Sequence, residues 1–182
     1  MRIIVTVVSV NTEIMNKALD QARNRFVQAW GEMGYQWGIN KVMAQIHALL
    51  MVSDEPLSTD DVMGELQISR GHANTNLRGL VDWGLVRRVF QKGERKEYFV
   101  SEKDVWKMFC TVSRERRKRE IAPAIHALEE SLTIAGAGKD SAGFREQLTS
   151  LLEFLRTADL LLSKVAQQEK NKILPLLVKF LG

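Results

Sequence analysis

The apolar spacing between Ser58 and Ser101 changes character twice, and those changes constrain the fold more than anything else in the chain. After the polar SDEP, Ser58 or Thr59 is placed to cap a short helix with an acidic first turn, carrying Val62, Met63 and Leu66 on one side. Gln67 and Ile68 leave room only for a tight turn. From Ser69, SRGHANTNLRGLVDWG returns to helical spacing: Ala73, Leu77, Leu80 and Val81 share a face, and Gly84 suits a left-handed cap. Two short helices joined by a brief turn are the helix-turn-helix pattern. LVRRVFQKGERKEYFVS then becomes two β-rich runs around a polar KGER connection, which predicts a hairpin with a short glycine-containing loop. The expectation is a mainly α chain with a small β-hairpin wing, a winged helix-turn-helix.

The flanks read as helices. Ala18, Ala22, Phe26, Ala29, Met33 and Trp37 recur at three- and four-residue steps, predicting a helix over about 13–36 that ends near Gly38. Asn40 then caps a helix whose buried face is Val42, Ile46, Leu49 and Leu50. Beyond the hairpin, a helical segment from Glu102 passes Val105, Phe109 and Val112 and crosses the charged RERRKRE. It resumes at Ile121, Ile125, Leu128 and Leu132, and Pro123 should kink or restart it. GAGKDSAG is a linker, and after it Phe144, Leu148, Leu151, Leu155, Ala158, Leu162 and Val165 alternate steps of four and three, a heptad-like stripe. Pro175 starts a last apolar turn, LPLLVKFLG. A monomer would have to hide the leucine stripe by itself, whereas a dimer buries it against a copy. The domains expected are therefore 1–38, an N-terminal segment and dimerisation helix; 39–101, the winged helix-turn-helix; and 102–182, a C-terminal helical dimerisation region.

Charge is distributed unevenly. The formal net charge is only +4, yet residues 70–119 hold 14 Lys or Arg against 6 Asp or Glu, a surplus of eight that leaves the rest of the chain acidic. Basic charge thus collects where a phosphate-binding surface would need it. One cysteine, Cys110, excludes an internal disulfide, and His47, His72 and His126 are too scattered for a metal cluster, so neither metal nor cofactor is expected. The opening MRIIVTVVSV is short for a signal peptide and lacks a small-residue cleavage site, and no apolar run approaches the roughly 20 residues of a membrane span. A cytoplasmic protein without a membrane partner is expected.

A helix entering the major groove needs one face anchored in the core and an opposite face small or polar enough to approach base edges. At about 100° per residue, Gly71, His72, Thr75, Asn76, Arg78 and Gly79 lie roughly opposite Leu77 and Leu80. Arg78 suits guanine or a phosphate, Asn76 suits adenine or the backbone, and Thr75 either. Arg70, in the first turn, leans toward the core and would have to curl round to a phosphate. Any short amphipathic helix has a polar face, but this one is followed by a hairpin tip carrying Lys92, Arg95 and Lys96. A basic β-tip beside such a helix reaches an adjacent minor groove or its phosphates.

Through WGEMGYQWGINKVMAQIHALL, the acidic helix after EPLS, ISRGHANTNLRGLVDWGLVRRV, KGERKEYF, DVWKMF and RERRKREIAP, roughly residues 25–125, the chain resembles the MarR family of winged-helix regulators, and more closely its GbsR-like branch. The family pattern SRG..S.NLR implies that Ser69, Arg70, Gly71, Asn76, Leu77 and Arg78 belong to the recognition helix, with Thr75 where serine is common; His72 and Ala73 depart from it. The resemblance implies a transcriptional regulator, a repressor released by a small ligand, whose N- and C-terminal helices form a homodimer. Its two recognition helices would address a pseudo-palindromic operator in double-stranded DNA.

Several features carry two readings. RERRKRE is either a solvated helix face or a flanking phosphate contact. Trp30, Tyr35, Trp37, Trp106 and Phe109 fall where the family places the junction of its dimerisation and DNA-binding parts. Some GbsR-like proteins sense choline-type osmolytes, and quaternary ammonium ions suit aromatic cages, although aromatics at helical spacing are usually core. Cys110 has no second cysteine to resolve it and reads as an inert, partly buried thiol. Nothing in the chain supplies a phosphate-cradling glycine loop, metal cluster or nucleophile motif, so an enzyme is not expected. The stronger rival is a winged-helix module that binds protein without DNA readout, which an apolar or acidic recognition face would favour.

Overall fold

The computed structural model describes residues 2–136, 138 and 141–167, with the backbone alone for 2–14 and 16. The chain divides into two compact units, Met1–Glu102 and Lys103–Gly182. Pro175 and the apolar turn expected after it lie outside the described residues.

In the first unit, helix α1 spans Arg2–Gln36, starting well before the predicted residue 13. Residues 2–30 contain neither glycine nor proline, so a nucleated helix propagates through the β-branched start at modest cost. Its buried face also differs from the expected one. Ala18, Ala22, Ala29 and Trp37 are exposed, while Val27, Gly31 and Gly34 are buried against helix α2, Lys41–Val52. The glycines decide this: a Cβ at Gly31 would lie 2.5 Å from Gln45 Cγ, and one at Gly34 would lie 2.5 Å from Ala44 Cβ. Close backbone approach selects this face over the larger apolar side chains.

Asn40 caps α2 as expected, its Oδ1 accepting from Met43 N at 3.1 Å. The helix is central, packing on α1 and on the elements that follow, so burial extends beyond one stripe to Ala44, Ile46, His47, Ala48 and Leu50. Strand β1, Leu57–Ser58, leads into helix α3, Thr59–Leu66. Ser58 and Asp61 form a reciprocal capping box, and Gln67 takes φ 52° to turn the chain. Helix α4, Arg70–Asp82, is anchored by buried Ala73, Leu77 and Leu80, and Gly84 at φ 72° provides the expected left-handed end.

Strands β2, Val86–Phe90, and β3, Glu97–Ser101, pair antiparallel from Val86 opposite Ser101 to Phe90 opposite Glu97. The hairpin is not alone. Strand β1 pairs with β3, Leu57 opposite Phe99, giving a three-stranded sheet of order β1-β3-β2. A two-residue strand is too short to display alternation, which is why only its capping serine was visible in the sequence.

The second unit comprises α5, Val105–Arg116; a π turn, Arg117–Ile121; α6, Ala122–Ile134; and α7, Ala142–Gln167. The predicted restart at Pro123 occurs as that π turn, in which Ala122 N donates to Arg117 O. On α5 the buried residues are Met108, Cys110, Thr111 and Ser113, whereas Val105 and Phe109 of the expected face are exposed. Cys110 is fully buried, its thiol donating to the Val165 carbonyl at 3.4 Å. The α7 stripe is divided. Leu152 is buried, Leu148, Leu155 and Leu162 are half-buried, and Phe144, Leu151, Phe154 and Leu161 are exposed.

Candidate nucleic-acid interface

Ser69 sets the start of α4: its hydroxyl accepts from His72 N at 3.3 Å, which gives this residue a capping role. Opposite the anchoring leucines, Gly71, His72, Thr75 and Arg78 are exposed. Gly71 leaves open space where a side chain would stand, its nearest neighbour being Ser69 Oγ at 4.0 Å. Asn76 is half-buried, and its Nδ2 donates to the His72 carbonyl at 2.8 Å. Gly79, expected on the outer face, instead lies against α2: a Cβ there would meet Met43 Cε at 3.4 Å. The outer surface of α4 is thus a short line of small and polar residues, with Arg78 its exposed cation.

Arg78 also lines a hollow of about 400 Å³ with Asn74, Leu77, Arg88, Glu97 and Phe99, between α4 and the sheet. At the hairpin end, Gly93 takes φ 90°, Glu94 N donates to Gln91 O at 3.1 Å, and the Tyr98 hydroxyl donates to the Glu94 carboxylate. That last bond lifts the Tyr98 pKa and ties the loop to β3. Lys92 and Arg95 stand exposed on the loop it braces.

Arg70 does not lean on the core. Its Nη2 is 2.6 Å from Asp60 Oδ1, and Lys96 Nζ is 3.3 Å from Asp60 Oδ2. Hydrogen bonds from Lys96 and Arg70 hold the Asp60 carboxyl below its ordinary pKa. Asp60 therefore joins the first turn of α3, the first turn of α4 and the base of the hairpin loop. Sequence reasoning missed it, because an acidic residue in a helix's first turn is ordinary and the ten-residue step to Arg70 belongs to no periodicity.

No family model matches the chain. Among curated proteins, the HTH-type transcriptional repressor GbsR of Bacillus subtilis (strain 168) is 30% identical over 114 residues, which cover 63% of this chain and 63% of that protein. The helix-turn-helix-type protein YvaV of the same strain is 20% identical over 94 residues, covering 52% and 53%. The chain thus spans between half and two thirds of the curated relatives it matches. A solved structure described as a transcriptional regulator superposes with a TM-score of 0.68 at 22% identity, covering 83% of this chain and 99% of that one. The chain has the fold of a winged-helix protein and is similar to GbsR over the matched residues.

In this winged-helix chain Trp30, Tyr35, Trp37, Trp106 and Phe109 have different surroundings. Trp30 packs inward, its ring 5.5 Å from Phe26 and 6.3 Å from His47. Tyr35 and Trp37 are 67% and 60% exposed, so the first unit does not gather its three aromatics around one space. Tyr35 lines a separate hollow with Ile39, Lys41 and Val42. In the second unit, Trp106 and Phe109 form a ring pair at 5.5 Å, with Phe109 half exposed. The RERRKRE segment is largely engaged with other charges: Arg116 pairs with Glu120, Arg119 with Glu115, and Arg117 with Asp159 on α7. Among the described residues no group of His, Cys, Asp or Glu could hold a metal ion, and no helix is long and apolar enough to cross a membrane.

Proposed function

We propose that this chain is a sequence-specific, double-stranded DNA-binding transcriptional regulator, with α4 as the recognition helix and the β2–β3 hairpin as the wing. The observation that carries the reading is the exposed face of α4, Gly71, His72, Thr75 and Arg78, beside a loop that presents Lys92 and Arg95. A helix with a small, polar outer face and a firmly buried inner one can approach base edges without unfolding its anchor. The surplus of eight positive charges in residues 70–119 supplies the phosphate attraction that precedes any base contact. The names of GbsR and the solved regulator point the same way.

The regulator acts as a homodimer on a pseudo-palindromic operator. Phe144, Leu151, Phe154 and Leu161 leave an apolar line on α7 of the kind a second copy covers. Repression, release by a small effector and cytoplasmic action extend the reading, and the chain carries out no chemistry of its own. Selecting duplexes from a random library with the purified chain and sequencing those retained tests it. The expected result is one enriched motif in two inverted half-sites; retention without enrichment would contradict sequence-specific readout.

A further inference from the structure

Within the DNA-binding reading, Arg70, Lys96 and Asp60 form a cluster whose geometry says more than that a basic surface exists. One carboxylate receives two cations from different elements, Arg70 Nη2 at 2.6 Å on Oδ1 and Lys96 Nζ at 3.3 Å on Oδ2. The three side chains are 45–62% exposed, so water and salt weaken the pairs and they add little to stability. Two oxygens sharing one negative charge, clasped by a guanidinium and an ammonium, also describe how proteins hold a backbone phosphate. Arg70 opens the recognition helix, and Lys96 is the last wing-loop residue before β3. These are the two elements that must reach one duplex together.

We propose that Asp60 is an internal stand-in for a DNA phosphate: it occupies Arg70 and Lys96 in the free protein and yields them to the DNA backbone on docking. Exchange leaves the Asp60 carboxylate beside the incoming phosphate, a repulsion absent from a chain without it. The opposition falls on every duplex alike, since phosphates carry no base identity. Asp60 therefore sets absolute affinity and salt dependence, while base preference stays with the outer face of α4. It is a restraint against capture by non-cognate DNA, built from an acidic residue on an otherwise basic surface.

The test uses the full chain and a labelled duplex of mixed sequence, followed by anisotropy across a range of salt concentrations. Asp60→Asn should bind about fivefold more tightly than wild type, the size expected for removing one like-charge contact near a surface. Its log-log salt slope should steepen by up to about 0.9, since no carboxylate is left in the complex to offset one of the two cations on the DNA backbone. Asp60→Glu, which keeps the charge, should remain near wild type. In an Arg70→Ala/Lys96→Ala background the gain from Asp60→Asn should vanish, which separates local exchange from a general change in net charge. Capping by Ser58 and Asp61 does not involve Asp60; should Asp60→Asn nevertheless melt early, Asp60→Ser repeats the measurement with another residue suited to a helix start. Unchanged or weaker binding by the neutral variant, or a gain that survives loss of both cations, overturns the proposal and leaves the DNA reading standing. A wild-type chain that ignores mixed-sequence DNA even at low salt overturns both.

Discussion

Arg117 and Asp159 meet through two parallel hydrogen bonds, Nε to Oδ1 at 2.6 Å and Nη2 to Oδ2 at 3.0 Å, joining the π turn to α7. Asp159 holds the Arg117 pKa above its ordinary value. The two-pronged geometry exceeds that of a loose surface pair, although the exposure of Arg117 limits its worth. Asp159→Asn should lower unfolding free energy by about 1 kcal/mol. A double-mutant cycle with Arg117→Gln in urea denaturation checks it, and a coupling near zero would show that the pair holds nothing together.

His47 makes stability depend on pH. It is buried against Trp30, its Nε2 has no hydrogen-bond partner among the described residues, and burial lowers its pKa from 6.5 to about 4. The folded chain refuses a proton that the unfolded chain accepts below pH 6.5, so stability is lost as pH falls from about 6.5 toward 4. Between pH 7 and pH 5 this costs about 2 kcal/mol. Urea unfolding at the two pH values should show that loss in wild type and not in His47→Leu. Equal losses in both chains would place the effect elsewhere.

For the wing, Arg95→Ala should weaken binding to cognate and mixed-sequence duplexes by similar factors, because a phosphate or minor-groove contact supplies affinity more than discrimination. Loss of one phosphate contact should make the log-log salt slope shallower by about 0.9. A preserved slope and affinity would remove Arg95 from the interface.

The dimer prediction rests on the outer line of α7. Phe154 and Leu161 are 66% and 60% exposed, an unfavourable placement for two large apolar side chains in an isolated chain. Phe154→Glu with Leu161→Glu should convert a dimer into a folded monomer, read as a halved mass in light scattering with the helical circular dichroism kept. A dimer mass unmoved by both charges would shift the interface off this line.

The parts of this fold that were legible in the sequence are those with a local chemical cause. Ser69, Asn40 and Gly84 announced helix ends because capping and left-handed turns require their residue types. The anchoring of α4 by Leu77 and Leu80 followed from helical phase. What escaped was set by partners distant in sequence. Gly31 and Gly34 turn α1 onto a face that its larger apolar residues did not suggest, and Gly79 backs onto Met43 because α2 passes there. The second unit divides the α7 stripe between its interior and an exposed line, a distinction hydrophobicity alone does not carry. Asp60, the residue that organises the candidate interface, belongs to no motif; only the fold brings α3, α4 and the wing loop to one carboxylate.

The central claim, that the outer face of α4 reads DNA, is tested most directly by comparing Arg78→Ala and Leu77→Ala on the duplex enriched by selection and on a mixed-sequence duplex. Arg78 is exposed, so its loss should change stability by no more than about 0.5 kcal/mol, whereas Leu77, 1% exposed, should cost about 2–5 kcal/mol and lose binding through unfolding. A base contact by Arg78 predicts that Arg78→Ala, still folded, loses about 1–3 kcal/mol on the preferred duplex and flattens the preference at one position in each half-site. Asn76→Ala should act similarly, to a smaller extent because its Nδ2 is already bonded to His72. If both variants fold and bind the preferred duplex with unaltered affinity and selectivity, α4 is not the reading head, and a protein-binding winged helix becomes the better account.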